Sequence, residues 1–148
     1  MMSIRILKIK LLCLLFGVTT VLPAMASQPS VESAIDRLSA VSVFAIGGVG
    51  FAGSTSQGEK DFLIVLGDAH AMQSFENLYQ HGNAQGRAYA LLGIDSIDPA
   101  RFHALSSPVS ESTEKVKTMS GCIMSTETLG AVVKDIGAGG FHPTDKAK

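Results

Sequence analysis

The chain has 148 residues, 46% of them hydrophobic, 17% charged and 6% aromatic, with five prolines, no tryptophan and a formal net charge of −1. That much apolar content with so little proline excludes a disordered chain, and two cysteines cannot build a disulfide-stapled miniprotein. No basic cluster lies beyond the first ten residues, so there is no electrostatic footprint for nucleic acid, and the length suits one domain.

The first 26 residues read as a secretory signal peptide. Met1 to Lys10 carries Arg5, Lys8 and Lys10 and no acid, and Leu11 to Leu22 is apolar apart from Gly17, Thr19 and Thr20. Pro23 follows, then Ala24-Met25-Ala26, which places small residues where a signal peptidase needs them and predicts cleavage between Ala26 and Ser27. An apolar stretch of about 12 residues is too short to span a bilayer, which takes about 20, so no stable membrane anchor is expected after cleavage. Cys13 has Leu12 before it, where lipoprotein signals carry a small residue, and no Arg-Arg pair favours export of an already folded chain. Beyond residue 26, nine basic residues against thirteen acids leave a net charge of −4, and Cys122 is the only cysteine. A chain of that size can bury something like two-thirds of its unfolded surface and hold itself by packing.

The elements follow in chain order. Val31, Ala34, Ile35 and Leu38 recur at helical spacing behind Ser30, a helix over 31–40 with an N-cap. Val41 to Ile46 is a β-branched apolar run. Ser56-x-x-Glu59 is a capping box opening a helix through Phe62, Val65 and Leu66 to Gly67. Asp68 is placed to cap the next helix, with Met72, Phe75, Leu78 and Tyr79 on one stripe, His81 in the last turn and Gly82 as a left-handed terminator. Ala84 to Asp95 continues as a short helix, weakened by Gly86 and Gly93. Asp98-Pro99 starts another, with Phe102 and Leu105 facing inward and Pro108 ending it. Lys115-Val116-Lys117-Thr118 alternates with period two and predicts a strand running to Met124, paired with Val41–Ile46. Ser125 would cap the last helix, where Leu129, Val132, Val133 and Ile136 form the stripe up to Gly137. The expected fold is mainly α (α+β), several short helices around a small two-stranded sheet. One domain over 27–137 and a flexible tail over 138–148 complete it.

Few residues suggest chemistry. Gly48-Val49-Gly50-Phe51-Ala52-Gly53 spells G-x-G-x-x-G after an apolar run, and Asp68 stands twenty residues past Gly48, as a ribose-binding acid would. The following helix would have to contain Gly53, Ser54, Thr55, Ser56 and Gly58, all weak formers, and no βα series follows. The glycines therefore read as a strand exit or close-packed backbone, and no cofactor is expected. His70, His81, His103 and His142 form no metal-binding spacing, so no metal ligand is assigned. Cys122 lies in the predicted strand, where a buried small hydrophobe is the expectation and an intermolecular disulfide or redox-sensitive thiol, or a catalytic thiol, the alternatives.

The stretch Gly86-Arg87-Ala88-Tyr89-Ala90-Leu91-Leu92-Gly93-Ile94, then Asp98-Pro99 and Phe102, then Ser120-Gly121-Cys122, resembles a set of small exported bacterial proteins without an assigned activity. The resemblance spans roughly residues 41–136. It implies an exported helical domain and no catalytic residue. It also implies that a cysteine matching Leu92 in some such proteins pairs with the one matching Cys122, a partner this chain lacks.

Two function classes remain at this point. One is an exported, periplasmic or secreted, non-enzymatic domain that binds another protein, as an inhibitor or toxin-immunity protein does. The other is a small cysteine-dependent hydrolase or thiol enzyme using Cys122 with a histidine. The export reading has a direct check: the intact mass of protein from the periplasmic fraction should correspond to a chain starting at Ser27. A mass that retains residues 1–26 contradicts it.

Overall fold

The computed structural model describes residues 30–143, so the predicted signal segment, its predicted cleavage position and Cys13 lie outside the described residues. Six helices follow the order α1 Val31–Ser39, α2 Gln57–Leu66, α3 Ala71–His81, α4 Ala84–Ile97, α5 Pro99–Ser106 and α6 Leu129–Gly137. A short 3₁₀ turn, Ser107–Val109, and a hairpin of β1 Lys115–Ser120 and β2 Ile123–Thr128 separate α5 from α6. The fold is mainly α with one small antiparallel sheet, as the sequence predicts. No described helix is long and apolar enough to cross a membrane.

Local chemistry sets most helix starts. Ser30 accepts the Ser33 N–H, Ser56 the Glu59 N–H, and Asp98 the N–H groups of Ala100 and Arg101 with Pro99 at the first helical position. Other starts and stops differ from expectation. Asp68 accepts the His70 N–H in a turn of its own, and α3 begins at Ala71 without a side-chain cap. Gly82 is extended (φ −74°, ψ 158°), not left-handed; it is glycine because a Cβ there would sit 2.7 Å from the Leu78 carbonyl oxygen. Ser125 does not cap α6. It pairs with Thr118 inside the hairpin, and Thr128 takes the capping role by accepting the Ala131 N–H.

The sheet also differs. The strand predicted to run to Met124 breaks at Gly121-Cys122 and folds back on itself, pairing Lys115 with Thr128 through Ser120 with Ile123. Val41–Ile46 touches β1 only at Phe44, whose N–H donates to the Lys117 carbonyl and whose carbonyl accepts from the Met119 N–H. The tail expected from residue 138 is docked as far as Pro143. Gly140 N–H donates to the Asp135 carbonyl, and the Phe141 ring packs edge-on to Phe44 at 4.9 Å.

The helix read as weak is the centre of the molecule. Helix α4 buries Ala84, Gly86, Ala88, Tyr89, Ala90, Leu91, Leu92, Gly93 and Ile94, and from Ala88 to Ile94 it is buried on all sides as a core helix is. Its glycines mark where neighbours come closest. A Cβ at Gly86 would lie 2.6 Å from the Leu38 carbonyl oxygen of α1, and one at Gly93 would enter the Phe75 ring of α3. Packing thus overrides the propensity cost of about 1 kcal/mol per glycine.

Tyr89 ties this helix to the irregular 41–47 run. Its fully buried hydroxyl donates to the Ala45 carbonyl (2.9 Å) and accepts from the Ala45 N–H (3.0 Å), while its ring meets Phe44 edge-on at 4.8 Å. The Ala45 carbonyl also accepts from the Ser56 hydroxyl, and the Gly47 N–H donates to the buried Glu59 carboxylate. Burial first, then the nearby Glu59 and Asp61 charges, raise the Tyr89 phenol above its ordinary value, against the opposing hydrogen bonds of Ala45 and Ser56. The phenol therefore stays neutral in the fold beyond the pH at which it ionises in the unfolded chain. Its contribution is fully present below about pH 10 and is lost as pH rises toward the raised folded value. Tyr89→Phe should cost about 1–3 kcal/mol at pH 7 by orphaning the Ala45 N–H. Urea unfolding from pH 7 to 11 should show an alkaline loss of stability in the parent that is smaller in Tyr89→Phe. Parallel pH profiles refute this role.

Candidate interaction surface

Two loops distant in sequence meet at one end of the fold. After Ile46 the chain turns through Gly47 and Gly48, both left-handed (φ 90° and 86°), and Val49 pairs antiparallel with Ser54 through both of their backbone hydrogen bonds. Between them Gly50-Phe51-Ala52-Gly53 closes as a turn, Gly53 N–H donating to the Gly50 carbonyl. The hairpin turn Gly121-Cys122 comes alongside: Val49 bridges Gly121 in parallel and Gly50 N–H donates to the Gly121 carbonyl at 2.8 Å. Gly121, at φ 54°, supplies the left-handed residue that a two-residue hairpin turn demands.

The glycines that spell a dinucleotide fingerprint thus build a hairpin tip. The next helix starts four residues past Gly53, Phe62–Leu66 lies in α2 instead of a strand, and Asp68 follows the helix end. The geometry of a pyrophosphate cradle, strand to glycine turn to helix N-terminus, is not formed by these residues.

Cys122 corrects the other expectation. It is exposed on the turn instead of buried in a strand. No hydrogen bond joins it to His70, His81, His103 or His142 among the described residues. His81 sits against the Asn77 carbonyl at the end of α3 and the His103 ring tilts on Phe102. Among the described residues no group of three or more His, Cys, Asp or Glu could hold a metal ion.

Sequence reasoning missed the residues around the thiol. Phe51 is 104% exposed, Ile123 71% and Met124 60%, and these are three of the four large apolar side chains the described residues leave in water. Isolated exposed apolar residues need no explanation, but several on loop tips joined backbone to backbone do.

The strand below the tip has a free edge. Because Phe44 uses the Lys117 carbonyl and the Met119 N–H, those β1 residues point their backbone away from β2. Their cross-strand partners Thr126 and Met124 must then point theirs outward on the far side. No described backbone bonds there. Val116 and Thr118 face the core, so alternation puts Lys115, Lys117 and Met119 on the outer face with Met124 and Thr126. Lys115 and Lys117 make no ion pair among the described residues, and no carboxylate shares their face.

Comparison with protein-family models, curated proteins and solved structures finds no match.

Two measurements check the surface. A thiol reagent should label Cys122 in native protein at close to its rate in denatured protein; a large slowing in the native state contradicts the exposed turn. Phe51→Ser should leave unfolding free energy within about 0.5 kcal/mol of the parent, since the ring loses no burial.

Proposed function

We propose that the protein is an exported, non-enzymatic domain that binds a partner protein by adding one of the partner's extended segments to the edge of β2. The observation that carries this reading is the unpaired edge at Met124 and Thr126 beside the exposed Phe51, Ile123 and Met124. Natural edges are usually blunted by lysine, proline or a bulge, and β2 itself, Ile123-Met124-Ser125-Thr126-Glu127-Thr128, has none of these residues. Its one charge, Glu127, accepts from the Thr118 hydroxyl.

The partner's chemistry follows from the surface. Backbone groups in a row are matched by another extended backbone, which supplies affinity without sequence demands. Apolar side chains of the segment would meet Met119 and Met124, and Phe51 and Ile123 would seat against the partner's body. Lys115 and Lys117, on a chain whose charge beyond residue 26 is negative, favour an acidic segment. An inhibitor or immunity protein fits this description, and an export signal would place the encounter outside the cytoplasm.

The test uses a proline. Thr126→Pro removes an outward N–H that pairs with nothing in the fold, so the hairpin ladder should survive. A partner captured from the periplasmic fraction, then purified, should bind the parent and lose at least tenfold affinity to both Thr126→Pro and Lys117→Glu. Binding indifferent to both substitutions overturns the proposal, and so does the absence of any specifically retained protein.

A further inference from the structure

A separate cavity lies on the side where the C-terminal segment crosses the helices. It encloses about 550 Å³ and shares no residue with the loop tips. Its walls are aliphatic and aromatic: Leu63 and Leu66 of α2, Leu92 and Ile97 of α4, Ile136 of α6 and Phe141. The volume falls in the range of about 300–1,000 Å³ typical of small-molecule sites.

One acid breaks the apolar lining. Asp95, one turn from the end of α4, lines the cavity and is half-buried. The other half-buried or buried aspartates among the described residues are matched: Asp61 takes a bidentate Arg37 and Gln57, and Asp68 accepts the His70 N–H. Asp95 makes no hydrogen bond or ion pair among the described residues, and the only charge acting on it is that of His103, an exposed neighbour in α5. Among the described residues no lysine or arginine lines the cavity; the remaining polar side chains of the lining are Ser96 and His142. Partial burial holds the Asp95 carboxyl above the usual carboxylate range, as an uncompensated charge beside apolar walls requires.

We infer that this cavity binds a small amphipathic organic cation, an aliphatic body against Leu63, Leu66, Leu92 and Ile136 with an ammonium head at Asp95. The charge complement is the deciding feature. An anionic amphiphile of the same size would meet Asp95 with no lysine or arginine among the described lining residues to offset it, and a neutral one would leave the carboxylate as unpaired as before.

The probes are octylamine, 1-octanol and octanoate, titrated calorimetrically at neutral pH below their aggregation limits. Octylamine should bind about tenfold or more tighter than octanol, and octanoate weakest of the three. Lengthening to decylamine, by two methylenes, should tighten binding by about fifteenfold, as roughly fourfold per buried methylene implies. Asp95→Asn keeps the shape, removes the charge and should bring octylamine to the octanol level. Ile97→Ser, at a partly exposed wall position, should weaken octylamine and octanol together. Circular dichroism confirms that each variant is folded. Equal affinity for the three probes overturns the inference, as does an amine preference that persists in Asp95→Asn, or no saturable binding of any probe. None of these outcomes bears on the β2 edge, so the two assignments stand or fall apart.

Discussion

The peptide unit of Ala45 is the joint on which the structure turns. The run around it is too irregular to satisfy its own backbone in a sheet, yet it is buried, and a buried peptide without partners is costly. Tyr89 resolves this by giving one hydroxyl to both ends of the same residue, and Ser56 adds a second donor to the carbonyl. The same Ser56 oxygen accepts the Glu59 N–H in the first turn of α2. Thus α4, α2 and the segment leading to the exposed loop are fixed relative to one another through four polar atoms. Around them the aromatic rings of Phe44, Phe62, Phe75 and Tyr89 make up much of the core. The Arg37–Asp61 fork joins α1 to α2 nearby, with the aspartate almost fully buried. The hydrogen bonds to Asp61 first, and the Asp61 and Asp36 charges after them, raise the Arg37 guanidinium above its ordinary value against a smaller opposing effect of burial.

What was legible in the sequence was what a few consecutive residues decide. Ser30, Ser56 and Asp98 cap helices because the cap and the N–H it satisfies are two or three residues apart. The stripe of Leu129, Val132, Val133 and Ile136 emerges intact for the same reason. The reading fails where a distant partner outbids the local one. Ser125 is a good cap by type, but the hairpin ladder holds it opposite Thr118, and the helix waits for Thr128. Gly86 and Gly93 weaken an isolated helix, and here they let α1 and α3 come close enough to seal the core.

The candidate surface was less legible than the fold, although one signal was present. A glycine followed by one residue between two strand-like runs is a hairpin signature. Gly121-Cys122, with Val116 to Met119 before it and Ile123 to Thr128 after it, satisfies that description. Reading one continuous strand instead carried Cys122 into the core. Phe51 had no such signal. Its exposure depends on four glycines being spent on a turn, and the same glycines spell a nucleotide-binding pattern when read without their structural context. Nothing local marks Asp95 either, because the walls around it come from α2, α4, α6 and the segment after α6.

The bond between Gly50 and Gly121 gives the exposed end a further property. Its two halves come from opposite ends of the described chain, with α2 through α5 between them. Some helix neighbours, such as α3 with α4 and α4 with α5, are joined by short connections and close small loops. The joined tips, like Phe44 against β1, close a long one. A nascent chain, or one cut anywhere between the two tips and allowed to separate, carries at most half of the surface. A binding partner that reads both tips would therefore distinguish finished molecules from partial ones.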